Sequence, residues 1–230
     1  MTLGLVCARK GSRGAPDKNI RELDGERLIE RAIRIAYAAG CDDVVVSTDY
    51  RPNVDFDTQG AYVVTRPKSL AGPEVGKWPV YQHAVRAWES QTGRTVEVAV
   101  DVDVSRPLRT AATVRACYRA AREHGAAMAV AESDKHPGFD IMRWNGGVLA
   151  PYDNTVHYTA RQQTTATYLH AGCYAMTREA LFGRGSFLGG YVHGVETDRI
   201  ESFDIDDELD WRVVSLLDAY PPIRVTANAA

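Results

Sequence analysis

The most restrictive feature of this sequence is the order of strand-like and helix-like segments in its first fifty residues. Thr2–Ala8 is an apolar run of strand length. Apolar residues then recur at helical spacing from Leu28 to Ala39, and Val44–Thr48 is a β-branched run typical of a buried strand. A strand, a helix and a second strand in this order favour a right-handed crossover between parallel strands. The sequence therefore predicts an α/β fold with a mainly parallel sheet.

The same alternation continues along the chain. It predicts strands near Ala61–Thr65, over Val96–Val104, over Ala126–Ala131 and over Tyr168–Met176, and helices from near Pro79, over Ala111–His124 and at the end of the chain, with Leu209, Val213, Leu216 and Leu217 on one face. Between Ser133 and Gln163 the pattern breaks into short segments around Asn145-Gly146-Gly147, which predicts a hairpin-bearing arm. We expect one Rossmann-like, three-layer domain over residues 1–230, with the arm of residues 133–163 inserted in it.

Composition excludes several classes of protein. The chain has 230 residues, of which 45% are hydrophobic and 25% charged, as in ordinary globular domains. Its net charge of -3 provides no global field for a nucleic acid or an anionic membrane. Because no apolar run approaches membrane-spanning length and the four cysteines form no CxxC pattern, we expect neither a membrane span nor a signal peptide, and reduced thiols in a cytoplasmic protein.

A basic, glycine-containing segment follows the first predicted strand. Five cations and one acid lie between Arg9 and Arg21. Backbone N–H groups around Gly11 and Gly14 and the neighbouring cations suit phosphate oxygens, and ligands of parallel sheets bind at this edge. The segment matches neither the Walker loop nor GxGxxG. It favours a nucleoside triphosphate site, with a solvated charged turn as the alternative.

Acidic residues cluster just before the last predicted helix. Asp204 and Asp206 would point the same way in an extended segment while Ile205 faces inward, and carboxylates so arranged suit a hard cation. Asp207 and Glu208 are explained by helix capping and the helix dipole.

A second carboxylate pair lies on the valine-rich strand. Asp101 and Asp103 share one face near its carboxyl end, where a charge needs a partner. Asp103 is nearer the edge and is the better candidate ligand, whereas Glu97 on the same face leaves open an ordinary edge strand with a wet face. Together with the basic loop, these acids predict a site for Mg²⁺ and a nucleoside triphosphate, and nucleotidyl transfer as the chemistry.

Six segments in order make the sequence similar to a known family. They are Ala8-Arg9-Lys10-Gly11-Ser12-Arg13-Gly14-Ala15-Pro16-Asp17-Lys18-Asn19, Val46-Ser47-Thr48-Asp49, Arg66-Pro67-Lys68-Ser69-Leu70-Ala71, Pro107-Leu108-Arg109, Arg161-Gln162-Gln163 and Asp204-Ile205-Asp206-Asp207-Glu208-Leu209-Asp210. The chain resembles the acylneuraminate cytidylyltransferases, the CMP-N-acetylneuraminic acid synthetase family. The resemblance implies a nucleotidyltransferase fold, CTP and Mg²⁺, and a homodimer built by the arm.

The resemblance and the residue patterns together give a set of candidate site residues. The nucleotide-binding candidates are Ala8, Arg9, Gly11, Ser12, Arg13, Gly14, Lys18, Asn19, Arg66 and Lys77; the metal candidates are Asp103, Asp204 and Asp206; Arg161 and Gln162 are the acceptor candidates. Of these, Arg9, Lys18 and Asp206 are the predicted catalytic residues.

Three departures from the family pattern concern the acceptor side. Asp103 stands where the family usually has glutamine, and is similar to the metal-binding aspartate of the related 3-deoxy-manno-octulosonate cytidylyltransferases. Ala171 replaces an asparagine, and Lys77 replaces a small hydroxyl residue. The resemblance implies an acidic acceptor, and the altered acceptor side fits a sialic-acid-like or other 2-keto-3-deoxy sugar acid, or a phosphonate.

Two other functions fit the sequence. Asp101-Val102-Asp103 is a DxD motif, as in metal-dependent glycosyltransferases that hold a nucleotide-sugar diphosphate. A non-catalytic relative that binds the nucleotide without transferring it is the other alternative.

Overall fold

The structure is a computed structural model that describes residues 1–11, 14–72, 74–155 and 160–221, without the side chain of Arg161. The strands are β1 (Thr2–Ala8), β2 (Glu22–Leu23), β3 (Glu26–Arg27), β4 (Asp43–Thr48), β5 (Tyr62–Thr65), β6 (Val98–Val102), β7 (Ala126–Ser133), β8 (Met142–Asn145), β9 (Val148–Pro151), β10 (Thr167–Thr177) and β11 (His193–Glu196). The α-helices are α1 (Leu28–Ala38), α2 (Lys77–Thr92), α3 (Ala111–His124), α4 (Arg178–Gly183) and α5 (Glu208–Ala219).

Seven strands form one sheet in the order β11-β7-β10-β6-β1-β4-β5. Only β10 runs antiparallel to its neighbours β6 and β7; the other pairings within the described sheet are parallel. Leu5 of β1 lies opposite Val45 of β4 and Asp101 of β6, so these three strands end at the same edge. The predicted mainly parallel α/β sheet is confirmed.

Helices cover both faces of the sheet, as predicted. The side chains of α1 and α3 pack with Val6, Val44 and Val100 on one face. The side chains of α2 pack with Leu5 and Ala99 on the other, where α4 also lies. This alternation along each strand sends Asp101 to the α2 face, because Val100 and Val102 occupy the α1 and α3 face.

Several boundaries differ from the sequence prediction. β6 is shorter than Val96–Val104, and Val96 packs with the α2 cluster rather than with the other even-numbered valines. α2 begins at Lys77, two residues before Pro79, which is tolerated in the first turn because its N–H would have no intrahelical acceptor there. The small β2–β3 hairpin, α4 and β11 carry too weak a pattern to be predicted.

The predicted apolar face of the last helix is wrong. Leu209 and Leu216 are 68% and 62% exposed, whereas Val214 is fully buried and Trp211 packs against the same core. The buried stripe is rotated by one position because Ile205, just before the helix, anchors the chain in the core.

The excursion between β7 and β10 contains the predicted hairpin. β8 and β9 pair antiparallel through Met142 opposite Pro151, outside the main sheet. None of the helices in the described residues has the length and apolarity needed to cross a membrane.

Candidate functional site

A polar cavity of about 450 Å³ lies at the carboxyl ends of β1 and β6. We call it the nucleotide cavity, and its lining combines four cationic side chains with three carboxylates. It is lined by Cys7, Arg9, Gly14, Lys18, Asn19, Arg66, Val75, Lys77, Val80, Asp103, Val104, Ser105, Asp204 and Asp206. Nine predicted site residues, from five separate stretches of sequence, therefore meet at one edge of the sheet.

The basic loop after β1 is fixed by its own polar contacts. The Asn19 side chain donates to the Arg9 carbonyl oxygen at 2.9 Å, and the Lys18 ammonium donates to the Ile205 carbonyl oxygen. Lys18 Nζ also lies 3.7 Å from a carboxylate oxygen of Asp206. Gly14 packs so closely on the backbone of Asp206 that a Cβ atom there would clash with its carbonyl oxygen. The loop and the acidic segment are thus two walls of one cavity.

Arg66 lies beyond the end of β5 and is buried. Its guanidinium donates to the carbonyl oxygen of Ser47 at 2.8 Å, and its backbone N–H donates to the Thr48 carbonyl oxygen. This residue came from the family resemblance, because nothing in the local pattern distinguishes it from other arginines.

Asp101 and Asp103 share one ammonium group. Lys77 Nζ lies 3.1 Å from Asp101 Oδ2 and 2.7 Å from Asp103 Oδ2. Tyr81, one turn along α2, donates its hydroxyl to the same oxygen of Asp101 at 2.7 Å. Asp103 Oδ1 accepts from the backbone N–H and hydroxyl of Ser105. Lys77 and Asp101 are 24 positions apart in the sequence. They meet because of the way α2 packs against β6, which the sequence pattern does not predict.

In Lys77 and Asp103, burial and the neighbouring opposite charges shift the pKa in opposite directions. Burial alone would raise the pKa of Asp103, but the Lys77 ammonium, with Arg109 and Arg106, holds that pKa well below its usual range. Burial alone would lower the pKa of Lys77, but Asp101 and Asp103 hold it above its ordinary value. The Lys77–Asp103 pair is therefore ionised at neutral pH. Burial, with a smaller effect of the Asp101 charge, raises the pKa of the Cys7 thiol to about 12.

Arg106 connects the two acidic segments. Its guanidinium lies 2.8 Å from Asp204 Oδ2 and 3.6 Å from Asp103 Oδ2, and it donates to the Ser202 carbonyl oxygen at 3.1 Å. The other oxygen of Asp204 is buried and has no hydrogen-bond partner among the described residues. The sequence analysis assigned no role to Arg106. The one feature that could have identified it as a site residue is its position directly before the Pro107-Leu108-Arg109 segment.

The start of α5 confirms the capping interpretation. Asp207 accepts from the backbone N–H groups of Leu209 and Asp210, and Asp210 accepts in return from those of Asp206 and Asp207. Because these contacts occupy the Asp206 backbone and not its side chain, the Asp206 carboxylate remains 82% exposed toward solvent and the cavity.

Magnesium fits part of the predicted ligand set. Among the described residues, no three His, Cys, Asp or Glu side chains lie close enough to hold a metal on their own. Mg²⁺ in phosphoryl-transfer sites needs only one or two carboxylates, because the phosphates and water supply the rest. The unpartnered oxygen of Asp204 and the exposed carboxylate of Asp206 fit that requirement. Asp103 does not, because both of its oxygens already have partners.

The remaining predicted residues lie elsewhere or outside the described part of the chain. Ala8 is fully buried in the core and Gly11 is exposed, and neither lines the nucleotide cavity. Ser12 and Arg13 are outside the described residues. Gln162 is exposed in the short turn Arg161–Gln163, so the acceptor assignment of this turn stays a prediction.

Comparisons with known proteins bear on the family and the fold of the chain. The family model described as "MobA-like NTP transferase domain" matches residues 5–187. The chain is 28% identical over 222 residues to the CMP-N,N'-diacetyllegionaminic acid synthase of Campylobacter jejuni subsp. jejuni serotype O:2, covering 94% of each chain. It is 22% identical over 214 residues to the N-acylneuraminate cytidylyltransferase of Streptococcus agalactiae serotype III, covering 90% of this chain and 51% of that one.

A solved structure shows the same fold. CMP:2-keto-3-deoxy-manno-octonic acid synthetase complexed with CTP superposes with a TM-score of 0.67 at 16% identity, covering 95% of this chain and 98% of that one. The nucleotidyltransferase fold is confirmed, as is the resemblance to the acylneuraminate cytidylyltransferases. The chain belongs to the MobA-like NTP transferase domain family.

Proposed function

We propose that this protein is a cytidylyltransferase that transfers CMP from CTP to a hydroxyl of an acidic sugar acceptor and releases pyrophosphate. The observation that carries the proposal is the nucleotide cavity, where Arg9, Lys18 and Arg66 face Asp204 and Asp206 at the carboxyl edge of the sheet. Cations opposite carboxylates that retain an oxygen for a metal are what a triphosphate and its Mg²⁺ require. Relatives that are CMP-sugar-acid synthases support cytosine as the base and a sugar acid as the acceptor.

The reaction needs positioning and charge neutralisation rather than a protein nucleophile. The acceptor hydroxyl oxygen attacks the α-phosphorus of CTP and releases its proton to solvent, a new P–O bond forms, and the bond from the α-phosphorus to the leaving pyrophosphate breaks. Arg9 and Lys18 would neutralise the departing pyrophosphate, and Asp204 and Asp206 would hold Mg²⁺. When bound, the metal would supply positive charge that stabilises the phosphates during transfer.

The DxD glycosyltransferase alternative loses its main support. Both carboxylates of Asp101 and Asp103 contact Lys77, and Asp101, including its unpartnered Oδ1, is fully buried and does not line the nucleotide cavity, so the pair does not present two free carboxylates to a metal–diphosphate. The other alternative, a protein that binds the nucleotide without transferring it, can be distinguished from an enzyme only by an activity assay.

The exposed hairpin supports a homodimer. Trp144, Val148 and Leu149 of the β8–β9 arm are 74%, 67% and 59% exposed, and a second copy of this chain is the occupant that the family resemblance suggests. We place the reaction in the cytoplasm, where nucleoside triphosphates are made, and the four free cysteines agree with a reducing compartment.

Thermal stabilisation by CTP, UTP, GTP and ATP, with and without Mg²⁺, tests the nucleotide assignment. At about 100 times its Kd a ligand stabilises the folded state by about 2.7 kcal/mol, which a melting curve resolves. CTP with Mg²⁺ should stabilise the wild type, and Arg9→Met should abolish the response. Arg119→Met, on an exposed face of α3, is the matched control that should respond normally.

Pyrophosphate release with a panel of sugar acids then tests transfer. A response to CTP without pyrophosphate from any acid would identify a non-catalytic nucleotide-binding protein. No response to CTP at all would refute the cytidylyltransferase assignment.

A further inference from the structure

The Lys77 ammonium lies between two carboxylates at the carboxyl end of β6. It lies 3.1 Å from Asp101 and 2.7 Å from Asp103, and these side chains are 0% and 13% exposed. Carboxylates two positions apart on one strand face repel each other unless a positive charge lies between them. The positive charge that this carboxylate pair requires is therefore supplied by Lys77 of the same chain.

Helix stability does not explain a lysine at this position. Lys77 is the first residue of α2, and the positive end of a helix dipole disfavours a cation there. No side chain caps this helix, whose N-cap is Gly76. The favourable contacts of Lys77 are thus those to Asp101 of β6 and to Asp103 just after that strand.

Lys77 also lies at the boundary between two cavities. It lines the nucleotide cavity and an adjacent cavity of about 460 Å³, which we call the apolar cavity. The apolar cavity is lined mainly by Trp78, Tyr81, Met128, Tyr174, Phe187 and Leu188. An ammonium has three N–H donors, of which the two aspartates engage two, and the Lys77 side chain is 41% exposed.

The geometry points to Lys77 as a built-in cation that replaces a metal ion at the Asp101–Asp103 pair and directs its remaining N–H to an anionic oxygen where the two substrates meet. In this inference, which rests on the proposed function for the identity of those substrates, Asp101 and Tyr81 are positioning residues for the ammonium. Among the described residues that line the nucleotide cavity, Asp204 and Asp206 then remain the carboxylate pair that is open to a metal.

Manganese titration without nucleotide tests the replacement independently of activity. Electron paramagnetic resonance counts bound Mn²⁺ per chain in the wild type and in Lys77→Ala. We expect Lys77→Ala to bind one more Mn²⁺ than the wild type, and Lys77→Ala/Asp103→Asn to lose the added ion. Lys77→Arg, which keeps the cation, should keep the wild-type count, and so should Lys135→Ala, a lysine outside both cavities.

Two results would overturn the replacement. One is an unchanged Mn²⁺ count in Lys77→Ala; the other is a wild-type Mn²⁺ ion that Asp103→Asn removes while Lys77 is present. Lys77→Gln, which retains an N–H donor between the carboxylates, takes the place of Lys77→Ala if the alanine variant does not fold, with the same expected count.

Turnover tests the substrate contact. Loss of one preorganised charged donor at a reacting phosphate lowers kcat by about 100-fold, so Lys77→Ala should show that loss while Lys135→Ala does not. A loss of less than twofold would refute the contact. If the wild type itself transfers no CMP, the proposed function fails, whereas the Mn²⁺ count still decides whether Lys77 replaces a metal.

Discussion

Replacement of Gly172 by alanine should displace Arg106 from its contacts with Asp204 and Ser202. Gly172 lies in the irregular stretch of β10 between His170 and Tyr174, with a φ of 65°. A Cβ atom there would lie 2.7 Å from Arg106 Cδ and 3.0 Å from Arg109 Nη2, and closer still to Arg106 Nη1. Carbon atoms in contact prefer a separation of about 3.5–4.0 Å, so the arginine must move.

The expected cost has two parts. An L-residue at a left-handed φ costs about 1–2 kcal/mol. Displacing Arg106 breaks its 2.8 Å ion pair with Asp204, whose side chain is 27% exposed, and its hydrogen bond to Ser202, and loss of such charged hydrogen bonds costs about 1.5–3 kcal/mol. We expect Gly172→Ala to destabilise the fold by about 2–4 kcal/mol, because relaxation of the arginine recovers part of the sum.

Gly60→Ala is the matched control. Gly60 has a φ of 83°, but nothing lies within 4 Å of a Cβ atom built on it. Its alanine variant therefore measures the backbone strain alone, about 1–2 kcal/mol, or about 2–8 °C in Tm for a chain of this size.

Urea unfolding of both variants, alone and combined with Arg106→Ala, separates the two parts. In the Arg106→Ala background the cost of Gly172→Ala should fall toward that of Gly60→Ala, because the clashing side chain is gone. Equal costs for the two glycines in the wild-type background would refute the reasoning.

Three other perturbations have defined outcomes. Gly14→Ala places a methyl group against the Asp206 carbonyl oxygen and forces the basic loop away from it. We expect this variant to lose about 1–3 kcal/mol of stability in urea unfolding and to show a weaker Tm response to CTP with Mg²⁺. Burial lowers the pKa of His170 below its ordinary value, so stability should fall as pH drops through 6.5 toward that pKa, and His170→Asn should flatten this part of the Tm–pH curve. Burial raises the pKa of Cys7 to about 12, so Cys7 should react slowly with Ellman's reagent at pH 8 although it lines the cavity, and fast labelling that Cys7→Ser removes would contradict this.

The fold and both walls of the nucleotide cavity could be predicted from sequence because their signals are local. An apolar run that ends in a basic glycine-containing loop places Arg9 and Lys18 at the carboxyl edge of β1 without any knowledge of tertiary contacts. Asp204 and Asp206 precede a helix whose start is fixed by the Asp207 cap, and the burial of Ile205 leaves both carboxylates on the cavity side.

The partners of these charges could not be predicted, because they depend on packing between distant elements. The sequence pattern predicts Asp103 as a metal ligand, but in the folded chain α2 packs over β6 and Lys77 Nζ lies 2.7 Å from Asp103 Oδ2. Arg106 likewise acquires its role from Asp204, far away in sequence. Charges at strand ends can be found by pattern, but which of them remain free for a ligand is a property of the folded chain.

The distribution of these partners predicts how the cavity depends on metal. The positive charges of Lys77 and Arg106 are already offset by carboxylates, which leaves Arg9, Lys18 and the buried Arg66 as the cations of the described part of the cavity whose charge is available to a ligand. A triphosphate carries about four negative charges, and Lys18 is partly offset by Asp206 at 3.7 Å. The described cations therefore fall short of neutralising the nucleotide, and adding it beside Asp204 and Asp206 without a metal would increase the repulsion. Since Mg²⁺ would remove both the deficit and the repulsion, nucleotide binding and not only turnover should require the ion.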